Sequence, residues 1–141
     1  MNSIEILLVE DSLGDARLTI EALKENKVLN KIHHVIDGVE AIAFLYKQGQ
    51  YSEMPRPDLI LLDLNMPKMD GREVLQKIKQ DDQLKRIPVV VLTTSQAEED
   101  IIKSYDLNAN CYIAKPVDLD QFMEVIKSIK IFWLSVVKYP N

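Results

Sequence analysis

Residues 59–63 read Leu-Ile-Leu-Leu-Asp, four consecutive apolar side chains followed by a single acid. The run lacks the alternation of apolar and polar residues that is typical of a strand with one solvated face. Both faces of this strand are therefore predicted to be buried, as in a parallel sheet that carries helices above and below. The stretch predicts a central strand of an α/β sheet, with Asp63 at its carboxyl end.

Four more short apolar runs complete a set of five predicted strands, at 4–9, 32–36, 59–62, 89–92 and 111–114. Each is followed by a capping residue with an acid or amide three positions later, a pattern that indicates a helix start. The five pairs are Ser12 with Asp15, Asp37 with Glu40, Asp70 with Glu73, Ser95 with Glu98, and Asp118 with Gln121. Alternating strands and helices with right-handed crossovers predict a doubly wound, flavodoxin-like (βα)5 fold with the strand order 2-1-3-4-5.

Residues 1–141 are predicted to form one domain with a C-terminal extension from about residue 130. Apolar residues spaced by three and four positions between 122 and 136 predict an extended final helix that packs on the sheet. Further apolar residues off that stripe make Phe132 and Trp133 candidates for a protein contact surface, with burial of the tail as the alternative. Charged residues interrupt the segment too often for a membrane span, namely Glu124, Lys127, Lys130 and Lys138.

The net charge of -5 argues against a nucleic-acid partner or an anionic membrane surface, because both require clustered basic residues. The N-terminal residues show neither the basic stretch nor the apolar run of a signal peptide, so a cytoplasmic location is expected. The single Cys111 cannot form an internal disulfide, which fits a reducing compartment. A protein or a small molecule is the expected partner.

Polar residues stand at the carboxyl ends of four predicted strands, namely Glu10 with Asp11, then Asp63, Thr93 and Lys115. Ligands of open parallel sheets bind at this edge, and strands 1 and 3 are neighbours in the predicted order. Three carboxylates are therefore expected to converge, and two unit charges about 4 Å apart repel by about 4 kcal/mol at an effective dielectric near 20. A hard divalent cation relieves such repulsion, so the sequence predicts a magnesium (Mg2+) site.

Asp63 differs from the adjacent pair Glu10 and Asp11 because it stands alone after a buried strand. This asymmetry predicts that Asp63 is the nucleophile that accepts a phosphoryl group, while Glu10 and Asp11 hold the metal. Lys115 would supply a fixed positive charge, and Thr93 a hydroxyl donor, for the phosphoryl oxygens. Three of these residues have an ordinary structural alternative: Asp11 as a turn residue, Thr93 as a strand end and Lys115 as a solvated charge.

Other polar residues near these strands are interpreted as structural. Asp15 is expected to complete the first helix cap rather than bind metal. His33 and His34 lie on a predicted strand and are expected to have satisfied structural roles there. The long 46–57 loop is expected to run over the surface.

Together these residues match the motifs of a known family. The matching segments are Glu10-Asp11 after strand 1, residues 61–67 with Asp70-Gly71, Thr93-Thr94 after strand 4, and residues 112–116. From about residue 4 to residue 130 the chain resembles a stand-alone bacterial response regulator receiver domain of a two-component phosphorelay. The resemblance implies that Asp63 is the phosphoacceptor and that Asp11, Asp63 and the backbone carbonyl of Asn65 ligate magnesium. Glu10 would assist, mainly through water.

The resemblance also implies how the chain signals. In the family the equivalents of Thr93 and Tyr112 form a coupled switch, and the only catalysis expected is the domain's own phosphorylation and dephosphorylation. Residues 12–15, the 51–57 loop and the Phe132-Trp133 tail are similar to the small regulators paired with cyanobacterial phytochromes. This narrower likeness implies a light-sensing phytochrome histidine kinase as phosphodonor and a homodimer. The downstream protein is not identified by the sequence.

Three other functions fit parts of the pattern. A phosphatase of the haloacid dehalogenase type also uses an aspartate nucleophile and magnesium, but it needs a second acid two positions later, where this chain has Asn65. A flavin-binding module on the same fold needs a phosphate-cradling loop after strand 1, where Glu10 and Asp11 would repel phosphate. A structural docking partner with a degenerate pocket is disfavoured because all the pocket residues are present.

Overall fold

The computed structural model describes residues 4–24, 30–64, 71–93, 111–115, 117 and 119–128. Five parallel strands form one sheet, namely β1 Ile4–Val9, β2 Asn30–Val35, β3 Leu59–Asp63, β4 Val89–Thr93 and β5 Cys111–Ala114. Their order across the sheet is β2-β1-β3-β4-β5, which confirms the predicted doubly wound topology. The second strand begins and ends earlier in the chain than the predicted 32–36.

The described helices are α1 Leu13–Lys24, α2 Gly38–Leu45, α3 Gly71–Gln80 and α4 Leu119–Ser128. Short 3-10 turns at Gly49–Tyr51 and Leu84–Arg86 precede β3 and β4. The helix predicted after Ser95 and the tail beyond residue 128 lie outside the described residues. Within the described part of the chain, no helix has both the length and the apolar composition needed to cross a membrane.

Two of the predicted capping pairs are present, at the starts of α1 and α2. The backbone N–H of Asp15 donates to Ser12 Oγ at 3.2 Å. The N–H of Glu40 donates at 2.8 Å to Oδ1 of Asp37, which is the N-cap of α2. These bonds satisfy amides that have no partner within the helix, so they fix where each helix begins. The other three pairs include residues outside the described ranges.

Both faces of the sheet are buried, each under its own pair of helices. On one face Leu62 and Val91 pack in a cluster with residues of α2 and α3. On the other face Leu61 and Leu92 pack with residues of α1 and α4. Residues 59–62 have no exposed surface, which confirms that the uninterrupted apolar run marks a strand covered on both sides.

The 46–57 loop is not only surface, contrary to the expectation from the sequence. Tyr51, the last residue of its 3-10 turn, and Met54 pack against the core on the α2–α3 face. The ring centroid of Tyr51 lies 5.4 Å from that of Phe44, and its hydroxyl donates to Glu40 Oε1 at 2.9 Å. The loop therefore extends the core, because two side chains of its middle section turn inward.

Candidate functional site

The sheet places polar residues of several strands at its carboxyl edge. Val9 of β1 pairs with Leu62 of β3. Glu10 and Asp63 directly follow these two residues, so the two acids are neighbours. The N–H of Glu10 donates to Val35 O of β2 at 3.0 Å, which extends the strand pairing by one residue. Lys115 follows the last residue of β5 at the same edge. The topology alone therefore brings acids and a lysine together.

Three carboxylates converge at this edge, as the strand order predicts. One carboxylate oxygen from each of Glu10, Asp11 and Asp63 lies within 4.8 Å of the other two. Glu10 and Asp63 are buried, whereas Asp11 is exposed at the start of the loop after β1. The N–H of Ser12 donates to Glu10 Oε2 at 3.2 Å and orients that carboxylate. The acidic cluster therefore consists of two buried acids and one that faces solvent.

Lys115 reaches into the acidic cluster from the end of β5. Its Nζ lies 3.3 Å from Asp63 Oδ1 and 2.5 Å from Glu10 Oε1. It also donates a hydrogen bond to Asp15 Oδ2 at 3.3 Å. The side chains of Lys115, Glu10 and Asp63 are nearly buried, so water and salt screen these two ion pairs weakly, whereas the half-exposed Asp15 is open to screening. One ammonium group thus faces three carboxylates.

The proximity of buried charges changes the proton affinity of the site. Burial, followed by the hydrogen bond and the charge of Glu10, raises the pKa of Asp63 to about 7 against an opposing effect of Lys115. Burial lowers the pKa of Lys115, but contacts with Glu10, Asp63 and Asp15 outweigh this effect and raise the pKa above its ordinary value. Without a cation, the site therefore holds an additional proton up to near-neutral pH, and Lys115 stays charged.

The acidic cluster has the composition of a divalent-cation site. Its carboxylate oxygens are the ligands that hard cations such as magnesium and manganese prefer. Glu10 Oε1 is buried and, among the described residues, has no partner in hydrogen-bonding geometry, although Lys115 Nζ lies at ion-pair distance. A bound cation would give this buried oxygen a further favourable interaction beside that with Lys115. The residues present therefore fit a divalent cation held by Glu10, Asp11 and Asp63.

Gly71, at the start of α3, packs directly against the backbone of Asp63. A Cβ atom at position 71 would lie 2.3 Å from Asp63 O and 2.6 Å from Leu64 Cα. The N–H of Gly71 donates to Leu64 O at 3.0 Å and holds the helix start against the end of β3. Only glycine permits this approach, so α3 fixes the position of the backbone that carries Asp63. The sequence motif includes Gly71, but nothing in the sequence indicates this contact.

The remaining predicted site residues are described only in part. Thr93 is the last residue of β4, at the carboxyl edge of the sheet. Tyr112 on β5 is partly buried and packs against the core cluster of α2 and α3. Asn65, Phe132 and Trp133 lie outside the described residues.

Asp15 has a contact that the sequence reasoning missed. The capping prediction is right for its backbone N–H, but its carboxylate accepts a hydrogen bond from Lys115. A signal for this pair exists in the sequence, because both residues lie within a few positions of a strand's carboxyl end and carry opposite charge. Helix-capping rules do not use that signal.

The two histidines have structural partners, in agreement with the sequence interpretation. His33 Nε2 lies 2.6 Å from Glu5 Oε2, and the His33 ring is 5.4 Å from that of Phe44. His34 Nε2 lies 2.7 Å from the backbone oxygen of Glu10, so this histidine contacts the end of β1 rather than a carboxylate of the site.

Comparison with known proteins agrees with this geometry. The response regulator receiver domain family matches residues 6–127 of the chain. Response regulator Rcp1 of Synechocystis sp. is 53% identical over 135 residues, which cover 96% of this chain and 92% of Rcp1. The match therefore extends over nearly the whole length of both proteins.

Two solved structures share the fold. The phosphorylated cyanobacterial phytochrome response regulator RcpA is 53% identical with a TM-score of 0.78, and the match covers 99% of this chain and 100% of RcpA. The Mn2+-bound form of response regulator Rcp1 is 54% identical with a TM-score of 0.76, covering 98% and 99% of the two chains. These likenesses confirm the predicted resemblance to the regulators of cyanobacterial phytochromes. The chain therefore belongs to the response regulator receiver domain family.

Proposed function

We propose that this chain is a phosphorylation switch of a two-component system, in which Asp63 accepts a phosphoryl group and another protein reads the changed surface. The observation that carries the proposal is the contact between Lys115 and the buried Asp63, which belongs to the acidic cluster. Lys115 and a cation bound by the acids would together place positive charge where an anionic phosphoryl group has to bind. The phosphorylated and Mn2+-bound states of the two related structures support the same chemistry.

In the proposed reaction, a carboxylate oxygen of Asp63 bonds to phosphorus while the P–N bond of a kinase phosphohistidine breaks and its electron pair stays on the imidazole. Lys115 Nζ, 3.3 Å from Asp63 Oδ1, is placed to hold the phosphoryl oxygens beside the carboxylate. Asp63, the two acids after β1 and the backbone carbonyl of Asn65 would hold magnesium, which when bound neutralises negative charge on these oxygens. Water later breaks the P–O bond of the acyl phosphate and releases inorganic phosphate.

The signal is proposed to leave by protein contact. The new phosphoryl oxygens attract the Thr93 hydroxyl, and Tyr112 enters the space that Thr93 vacates. Phosphorylation shifts this equilibrium only as far as it interacts differently with the two states. Phe132 and Trp133 supply apolar surface for a downstream protein or for a second copy of the chain in a homodimer. No activity on a separate substrate is proposed.

The phosphodonor is proposed to be a phytochrome histidine kinase. The support is the likeness over nearly the whole chain to RcpA, a phytochrome response regulator. The chain itself carries the residues needed to accept the group, but the kinase contact is inferred from the relative alone. The identity of the donor is therefore independent of the assignment of Asp63 as acceptor.

The test of the acceptor is incorporation of radiolabel from acetyl phosphate in the presence of magnesium. We expect about one phosphoryl group per chain, bound as an acyl phosphate that hydroxylamine releases. Asp63→Asn should abolish labelling, and removal of magnesium with EDTA should do the same. Asp82→Asn, which changes an acid that is 93% exposed, should label like the wild type. Unchanged labelling of Asp63→Asn would show that the acceptor lies elsewhere.

A further inference from the structure

Asp15 contacts the same ammonium group as Asp63 but has no role in the chemistry described above. Lys115 Nζ donates to Asp15 Oδ2 at 3.3 Å and lies 3.3 Å from Asp63 Oδ1. The acidic cluster that fits a cation comprises Glu10, Asp11 and Asp63, and Asp15 is outside it. Asp15 is thus bound to the phosphoryl-binding lysine without being a ligand of the predicted cation.

The first turn of α1 fixes the position of Asp15. Its N–H donates to Ser12 Oγ at 3.2 Å, so capping uses the backbone and leaves the carboxylate for Lys115. The Asp15 side chain is 47% exposed, whereas that of Asp63 is 6% exposed. A half-exposed carboxylate is solvated, so burial does not require this ion pair.

We propose that Asp15 is a positioning residue that competes with an incoming phosphoryl group for Lys115, and thereby lowers the rate at which Asp63 reacts with small anionic phosphodonors. This inference rests on the proposed function of Asp63. A phosphodonor must bring negatively charged oxygens to Lys115, where Asp15 already uses one of the three N–H donors of Nζ. The charge of Asp15 also repels the donor. Removal of this charge with retention of the side-chain shape should therefore speed the reaction.

The expected effect is moderate because Asp15 is half exposed. The two contacts share Nζ, so Asp15 Oδ2 and Asp63 Oδ1 are at most about 7 Å apart, within the Debye length of about 8 Å at physiological ionic strength. Exposed charge pairs change equilibria by at most about fivefold, so Asp15→Asn should raise the second-order rate constant about two- to fivefold. At about 1 M salt the Debye length is about 3 Å, and the ratio of variant to wild type should approach one.

The test compares initial rates of labelling by acetyl phosphate, at saturating magnesium and at low and high salt, for the wild type, Asp15→Asn and Asp15→Glu. Asp15→Glu keeps the charge and should restore the wild-type rate. Glu21→Gln is the matched control, because it removes an acid that is 64% exposed from the same helix. It should leave the rate unchanged at both salt concentrations.

A faster reaction of Asp15→Asn that disappears at high salt and that Glu21→Gln does not reproduce supports the proposal. A rate equal to or below that of the wild type overturns it. An increase that persists unchanged at high salt also overturns it, since a steric or folding effect does not depend on ionic strength. Failure of the wild type itself to take up label would instead overturn the proposed function of Asp63.

Discussion

The two edges of the sheet hold their charged groups in different ways. At the amino edge the groups are matched: Glu5 Oε2 lies 2.6 Å from His33 Nε2, and the Glu5 N–H donates to Asp58 Oδ2 at 2.8 Å. At the carboxyl edge the single ammonium group of Lys115 faces three carboxylates. The acids of the amino edge therefore each have a hydrogen-bonding partner, while the described residues of the carboxyl edge carry more carboxylates than ammonium groups.

This difference indicates which edge stabilises the fold and which is organised for chemistry. Like charges about 4 Å apart repel by about 4 kcal/mol at an effective dielectric near 20, so the acidic cluster opposes folding. Functional sites commonly retain such unfavourable arrangements because activity needs them. Removal of a charge should therefore stabilise the cation-free protein at the carboxyl edge and destabilise it at the amino edge.

The largest effect is expected from Asp63 in the cation-free protein. Burial and Glu10 raise the pKa of Asp63 to about 7, so folding favours the protonated carboxyl group. The stability that this proton contributes is complete below the unfolded-state pKa of about 4 and is lost as the pH rises through about 7. Urea denaturation in EDTA should show the contribution of Asp63 to the free energy of unfolding falling by about 2–3 kcal/mol between about pH 5 and about pH 8.

Magnesium and the Asp63→Asn variant are the controls for this pH dependence. In the proposed site magnesium would take the place of the proton as counter-charge, so a saturating concentration should restore stability at the higher pH. Asp63→Asn lacks the titrating group, and the difference between wild type and variant isolates its contribution. If the wild type gained stability relative to Asp63→Asn as the pH rises in EDTA, the carboxyl edge would not carry an unfavourable charge excess.

A smaller effect of the opposite sign is expected at the amino edge. Glu5→Ala removes the carboxylate that contacts His33, whose side chain is 14% exposed. Loss of such a hydrogen bond costs about 1–2 kcal/mol, so the free energy of unfolding from urea denaturation should fall by this amount. Glu21→Ala removes an exposed carboxylate and should change it by less than about 0.5 kcal/mol. Impaired phosphorylation of Glu5→Ala at unchanged stability would remove the distinction between the two edges.

The same contrast explains what the sequence could predict. The apolar run at 59–62 and the position of Asp63 after it follow from periodicity, and a parallel sheet brings strand ends together whatever the side-chain conformations. The carboxyl edge was therefore predictable. The pair of Glu5 and His33 was not, because it depends on the register of β1 on β2 and on the direction of both side chains.

Side-chain direction also limits what the sequence shows about Asp15 and the 46–57 loop. Capping rules locate the N–H of Asp15, but they do not direct its carboxylate toward Lys115. Glycine and proline residues mark the loop, but they do not reveal that Tyr51 turns inward beside Phe44. Local rules predict backbone structure, whereas these contacts form only after the helices pack on the sheet.

The smallest effect is expected where α2 ends at the amino edge, at a residue with a strained backbone. Lys47 has a φ of 55°, in the left-handed region that favours glycine. It follows the C-cap residue Tyr46. The N–H of Gln48 donates to Ala43 O at 2.9 Å, and that of Lys47 to Phe44 O at 3.1 Å. Helices that end with these two hydrogen bonds usually have glycine at the position that Lys47 occupies here.

Lys47→Gly should therefore raise the free energy of unfolding by about 0.5–1 kcal/mol, because relief of strain exceeds the entropy that glycine adds to the unfolded chain. Gly49→Ala is the matched control, since its φ is 56° and an added Cβ would meet no described atom within 4 Å. Only backbone strain is introduced there, so urea denaturation should show a loss of similar size, about 1 kcal/mol. A higher free energy of unfolding for Lys47→Gly and a lower one for Gly49→Ala would show that backbone strain, and not unbalanced charge, limits stability at the amino edge. A loss at both positions would mean that the Lys47 side chain contributes more than its strained backbone costs.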